Sequence, residues 1–137
     1  MFLEEKMAQM DSAGGIVECV IQGVPAGIGE PVFESWMQIS PSDCSIGAVK
    51  GFEIGDGFEA AKTTGALNND AFCISPDGRV GKRTNHAGGI LGGISDGTEI
   101  VFRAAFKPTP SIASPQKTVN RDGGRLKSAS RGRHDPI

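Results

Sequence analysis

Asn85-His86-Ala87-Gly88-Gly89-Ile90-Leu91-Gly92-Gly93-Ile94-Ser95 is the stretch on which the reading of this chain turns. Two glycine pairs, with Gly97 just beyond, let backbone N–H groups face a flat or anionic ligand with no Cβ in the way. A cofactor cradle is one use for such a segment. A turn that packs strands closely is the other, and for the segment taken alone it is the better reading. It is not a dinucleotide fingerprint, because the glycines fall in the wrong order and no strand-to-helix βαβ context surrounds them.

Outward from that segment lie short β-rich runs bounded by glycine or turn residues. Residues 16–22, 48–54 and 99–106 are the firmest strands by composition and length. Residues 71–75 and 79–83 flank Pro76-Asp77-Gly78, a turn sequence that predicts a hairpin. Residues 2–10 mix charge and apolar side chains as a helix end does, and Gly14-Gly15 breaks the pattern. Ser12-Ala13-Gly14-Gly15-Ile16 echoes His86-Ala87-Gly88-Gly89-Ile90, and the shared Ala-Gly-Gly-Ile raises a two-fold repeat inside one domain, with chance likeness of a short small-residue string as the alternative.

The chain has 137 residues, 38% of them hydrophobic, which suits one domain or part of one. A net charge of -2 excludes a global basic field for nucleic acid, and 6% aromatic residues with no tyrosine leave little to stack on bases. No apolar run reaches bilayer length, so no membrane partner is expected. The start, Met1-Phe2-Leu3-Glu4-Glu5-Lys6, lacks the order of a signal peptide, and the expected location is the cytosol. Cys19, Cys44 and Cys73 are odd in number and widely spaced, which supports neither a disulfide framework nor a zinc site. They read as reduced thiols. His86 has no carboxylate at metal-ligand spacing, so no metal site is expected, and its better role is to order its loop by hydrogen bonding.

Two further segments carry chemistry. Lys107-Pro108-Thr109-Pro110-Ser111 follows a strand, and its prolines fix the backbone so that one ammonium and two hydroxyls can meet a phosphate or ribityl group. A proline-rich strand exit is the bland alternative. Lys117, Arg121, Arg125, Lys127, Arg131 and Arg133 oppose Asp122 alone, a basic excess that ends in Arg131-Gly132-Arg133-His134-Asp135-Pro136-Ile137. In an extended segment Arg133 and Asp135 share a face, so a guanidinium can hold an anion while a carboxylate handles a proton.

These blocks, together with Gly23-Val24-Pro25-Ala26-Gly27-Ile28-Gly29-Glu30-Pro31-Val32-Phe33 and Ala48-Val49-Lys50-Gly51-Phe52-Glu53-Ile54-Gly55-Asp56-Gly57-Phe58, strongly resemble chorismate synthase in order, spacing and identity. The resemblance covers nearly the whole chain. It implies an α+β fold, part of a β-α-β sandwich with antiparallel sheets packed on helices, with residues 1–137 forming one partial domain. It implies 1,4-elimination of phosphate from 5-enolpyruvylshikimate 3-phosphate to give chorismate, a carbon-oxygen lyase reaction that needs reduced FMN. NADPH enters only if the enzyme reduces its own flavin, and the assembly implied is a homotetramer. Residue by residue, the resemblance places flavin contacts at Gly47 and Ala48, at Gly92, at Lys107, Pro108, Thr109, Pro110 and Ser111, and at Arg133. It makes Asp135 a catalytic residue, the carboxylate that works with flavin N5 as a proton leaves the substrate ring.

The chain also departs from the family. The upstream part with two catalytic histidines and the substrate-receiving arginines has no counterpart here, nor does a helical segment after Arg-His-Asp-Pro, and Ile137 replaces a cysteine. An inactive fragment, or a degenerate remnant with at most weak flavin or anion binding, is therefore the expectation for the chain alone. Residues 35–45 replace an amphipathic helix resembling Lys-Leu-Asp-Ala-Asp-Leu-Ala-Lys with Ser35-Trp36-Met37-Gln38-Ile39-Ser40-Pro41-Ser42-Asp43-Cys44-Ser45. Codons for Trp36, Met37 and Gln38 read one base out of register return the family pattern, which points to a local frameshift.

Overall fold

The three β-rich runs become the three longest strands of the computed structural model, which describes residues 1–30 and 46–130. They are β1 (Gly15–Ile21), β2 (Val49–Ile54) and β7 (Ile100–Phe106), paired in the order β1-β7-β2. Gly51 lies against Ala105 while the Gly55 N–H donates to the Val101 carbonyl, so β2 and β7 run antiparallel. At the other side of β7, Gln22 bonds to Glu99 and Gly14 lies against Phe106, the same antiparallel sense. Between these strands come a 3-10 helix (Gly57–Lys62), a one-turn helix α2 (Gly65–Asn68), the hairpin β3 (Phe72–Ile74) with β4 (Val80–Lys82), and the small hairpin β5 (Ile90–Leu91) with β6 (Ile94–Ser95). The Pro76-Asp77-Gly78 hairpin forms in the register Phe72 to Lys82, with Gly78 at φ +81°. The result is an α+β architecture of antiparallel sheets with few helices among the described residues.

The chain divides into two compact units. Unit 2, Ile16–Ala105, holds most of the apolar core. Ile100, 1% exposed, is its centre, joined by Val49, Ile90 and Ala104, and Phe52 stacks on Phe102 with ring centroids 5.3 Å apart. Burial is strongest on β7 because it is the central strand. The edge strand β1 exposes apolar side chains on both faces, with Ile16 70% and Val17 58% exposed. A strand of that composition at an edge is a surface waiting for a neighbour.

Unit 1 comprises Met1–Gly15 and Phe106–Ile137. It contains the helix α1 (Phe2–Ala8), where the chain predicted a helix end, and the hairpin β8 (Gln116–Val119) with β9 (Arg125–Ser128). All eight strand residues of that hairpin are exposed, and Lys117 stands directly opposite Lys127. The Ala-Gly-Gly-Ile echo does not fold as a repeat. Its first copy enters the seven-residue β1 without positive φ, whereas Gly88 and Gly89 take φ +64° and +79° before the two-residue β5.

Candidate functional site

The glycine-rich segment serves the fold and leaves one place open. A Cβ on Gly88 would lie 2.7 Å from Gly55 Cα and 2.9 Å from Ile54 Cγ2, and one on Gly89 would lie 2.5 Å from the Glu99 carbonyl oxygen. These two glycines let the segment lie against the end of β2 and the start of β7. Gly92 and Gly93 form the two-residue turn of the β5–β6 hairpin, with φ +59° and +85°, both in the left-handed region that a type I′ turn requires. Around a Cβ on Gly92 nothing would lie within 4 Å. Close packing accounts for Gly88 and Gly89, and an open backbone at a hairpin tip accounts for Gly92.

The segment is held at its base by buried ions that lack any local sequence signal. Lys82 Nζ lies 3.3 Å from Asp70 Oδ2 and 2.5 Å from Asp96 Oδ2, with the three side chains 1%, 2% and 7% exposed. Asp70 accepts three more hydrogen bonds, from Thr84 Oγ1 (2.7 Å), the His86 N–H (2.8 Å) and the Ala87 N–H (3.0 Å). Burial alone would raise the Asp70 pKa, but these donors and the Lys82 ammonium outweigh it and hold the carboxyl well below the usual carboxylate range. Asp96 is also lowered: burial opposes ionisation, while Lys82 and the Thr98 hydroxyl and N–H favour it. Residues 12 to 26 apart in sequence meet here, so no periodicity could have announced them.

Polar side chains complete the frame. Asn85 donates to the Glu99 carbonyl at 2.8 Å and accepts from the Gly89 N–H at 2.8 Å, which ties the segment to the entry of β7. His86 Nδ1 lies 2.6 Å from Asp56 Oδ2, and the Asp56 N–H donates to the His86 carbonyl. This is the ordering role expected of His86. Ser95, 3% exposed, donates to the Pro25 carbonyl and accepts from the Ile28 N–H, pinning residues 25–28 to β6.

Gly47 and Ala48 occupy the centre of a turn closed by the Val49 N–H on the Ile46 carbonyl, and Gly47 is open in the way Gly92 is. Both turns belong to unit 2. Lys107, Pro108, Thr109, Pro110 and Ser111 belong to unit 1, immediately after β7. There the Ser12 hydroxyl donates to the Thr109 carbonyl at 2.6 Å, and Gly14 leaves room for Pro108 Cδ, 3.0 Å from where a Cβ would stand. Gln116 Nε2 donates to the Pro110 carbonyl at 3.2 Å. Backbone carbonyls are thus consumed by the loop's own anchoring, and Lys107 stays exposed with no ion pair among the described residues. An exposed ammonium on a rigid loop suits a phosphate, and an open glycine N–H suits the edge of a flat ring. Arg133 and Asp135 lie outside the described residues, as does the altered stretch 35–45.

The chorismate synthase family model matches residues 1–137. Chorismate synthase of Lachnoclostridium phytofermentans is 58% identical over 137 residues, and that of Lachnospira eligens 60% identical, each match covering 99% of this chain and 37% of the relative. A chorismate synthase crystal structure superposes with a TM-score of 0.71 at 36% identity, covering 80% of this chain and 34% of the other. The chain therefore spans little more than a third of the length of the curated relatives it matches. A match along every residue, at this identity and with the same fold, leads to one conclusion: the chain belongs to the chorismate synthase family.

Proposed function

We propose that these residues form the flavin-binding part of a chorismate synthase, the carbon-oxygen lyase that removes phosphate from 5-enolpyruvylshikimate 3-phosphate by 1,4-elimination. The observation that carries the reading is the identity of 58% to a chorismate synthase across the whole chain. Reduced FMN, when bound, supplies transient electron density that helps expel the phosphate. Gly47, Ala48 and Gly92 offer open or lightly covered turns for the flavin, and Lys107, Pro108, Thr109, Pro110 and Ser111 offer an exposed cation on a braced loop for its phosphate or ribityl chain. Arg133 adds a second cation. Asp135 is the acidic residue that works with the flavin as a proton leaves the substrate ring.

The same reading places the protein in the cytosol, assembled as a homotetramer, with NADPH needed only where the enzyme reduces its own flavin. The chain covers 37% of its relatives' length, and on this reading the catalytic histidines and the arginines that receive substrate lie outside these 137 residues. The 137 residues alone are then expected to bind flavin weakly and to form no chorismate. A remnant that binds flavin or anions without turnover is the second reading, favoured by the departure of residues 35–45 from the family pattern.

Turnover with excess reduced FMN, followed by chorismate absorbance, tests both. Product above the flavin-only background refutes the inactive-fragment expectation. Quenching of FMN fluorescence that Lys107→Ala weakens several-fold supports the site, and identical titrations of the two proteins refute the role of Lys107.

A further inference from the structure

Lys82, Asp70 and Asp96 have no assigned role, yet they are the most deeply buried ionic group among the described residues. Apolar side chains of similar volume commonly replace such a cluster with no loss of stability, so stability alone is a poor account of it. Its placement is more telling. The His86 and Ala87 N–H groups rest on Asp70, and Asp96 follows β6 directly. One ammonium therefore ties both ends of the segment 86–96, and the Asp96 N–H closes the same base on the Gly89 carbonyl at 3.0 Å. Gly92 is the tip of that closed loop.

We propose that Lys82 is a positioning residue: through Asp70 and Asp96 it fixes the β5–β6 hairpin and the open Gly92 turn, and so sets how well that turn takes a flavin. The flavin half of this statement rests on the function proposed above. A loop ordered in advance does not lose its freedom on binding, and affinity gains by that amount.

The test combines hydrogen exchange of the chain with FMN fluorescence titration, for wild type, Lys82→Met and Asp96→Asn. The expected result is exchange at Leu91 to Ile94 faster by about tenfold or more in Lys82→Met, with the amides of β7 unchanged and FMN binding about tenfold weaker. Should Lys82→Met fail to fold, Asp96→Asn decides, because it keeps the shape and the Asp70 contact and removes one charge. The proposal is overturned if the hairpin exchanges alike in wild type and variants, if it exchanges in wild type as fast as an open peptide, or if β7 loses protection in step with it. The last result assigns Lys82 to general stability. A hairpin effect with no quenching of FMN by the wild-type chain overturns the flavin reading and leaves the hold on the hairpin standing.

Discussion

Replacing Gly89 by alanine is expected to destabilise unit 2 far more than the same change at Gly92, although both glycines have positive φ and stand three residues apart. At either position an alanine must adopt the left-handed region, at about 1–2 kcal/mol. At Gly89 the new methyl would also stand 2.5 Å from the Glu99 carbonyl oxygen and 3.0 Å from Ile100 Cα, with φ +79°. Both obstacles are backbone at the entry of the central strand, next to the most buried side chain of the core, so neither can swing aside. Overpacking of that kind adds about 1–3 kcal/mol. Gly92, at φ +59° with nothing within 4 Å, incurs the first cost alone. The two variants should thus differ by about 1–3 kcal/mol, which corresponds to urea midpoints about 1 M apart at an ordinary denaturant slope. Far-UV circular dichroism of each variant against urea, at micromolar concentration, reads the difference. Midpoints that coincide would refute the packing role assigned to Gly89, and a lower midpoint for Gly92→Ala would refute the open turn.

Acid sensitivity follows from the buried carboxylates. Asp70 and Asp96 are held below the usual range, so their stabilisation is full above the unfolded-state value of about 3.9 and is lost as pH falls through the lower folded-state values. Between pH 5 and pH 2.5 the urea midpoint of wild type should drop more steeply than that of Asp70→Asn, and parallel slopes would contradict the charge assignment. Exposed apolar residues on both faces of β1 predict concentration-dependent self-association, visible as light scattering that rises with concentration; a monodisperse monomer at every concentration speaks against it. The codons of residues 35–45, read one base out of register, should encode an amphipathic helix, and codons that do not do so remove the frameshift.

Local patterns carried much of the architecture. The runs 16–22, 48–54 and 99–106 and the Pro76-Asp77-Gly78 hairpin each hold their signal within about a dozen residues, because strand alternation and turn chemistry are properties of near neighbours. Family membership was legible for a related reason: it rests on many short blocks in a fixed order, and each block is contiguous. Tertiary structure alone could sort one glycine from another. Gly88, Gly89 and Gly92 look alike in the chain, and they part only when β2 and β7 arrive beside the first two and leave the third uncovered. The same holds for Asp70, Lys82 and Asp96, three ordinary charged residues until folding removes water from all of them together. Burial and long-range contact are not encoded at any fixed spacing, and it is those two quantities that turn a glycine into a packing element and a surface charge into the base of a loop.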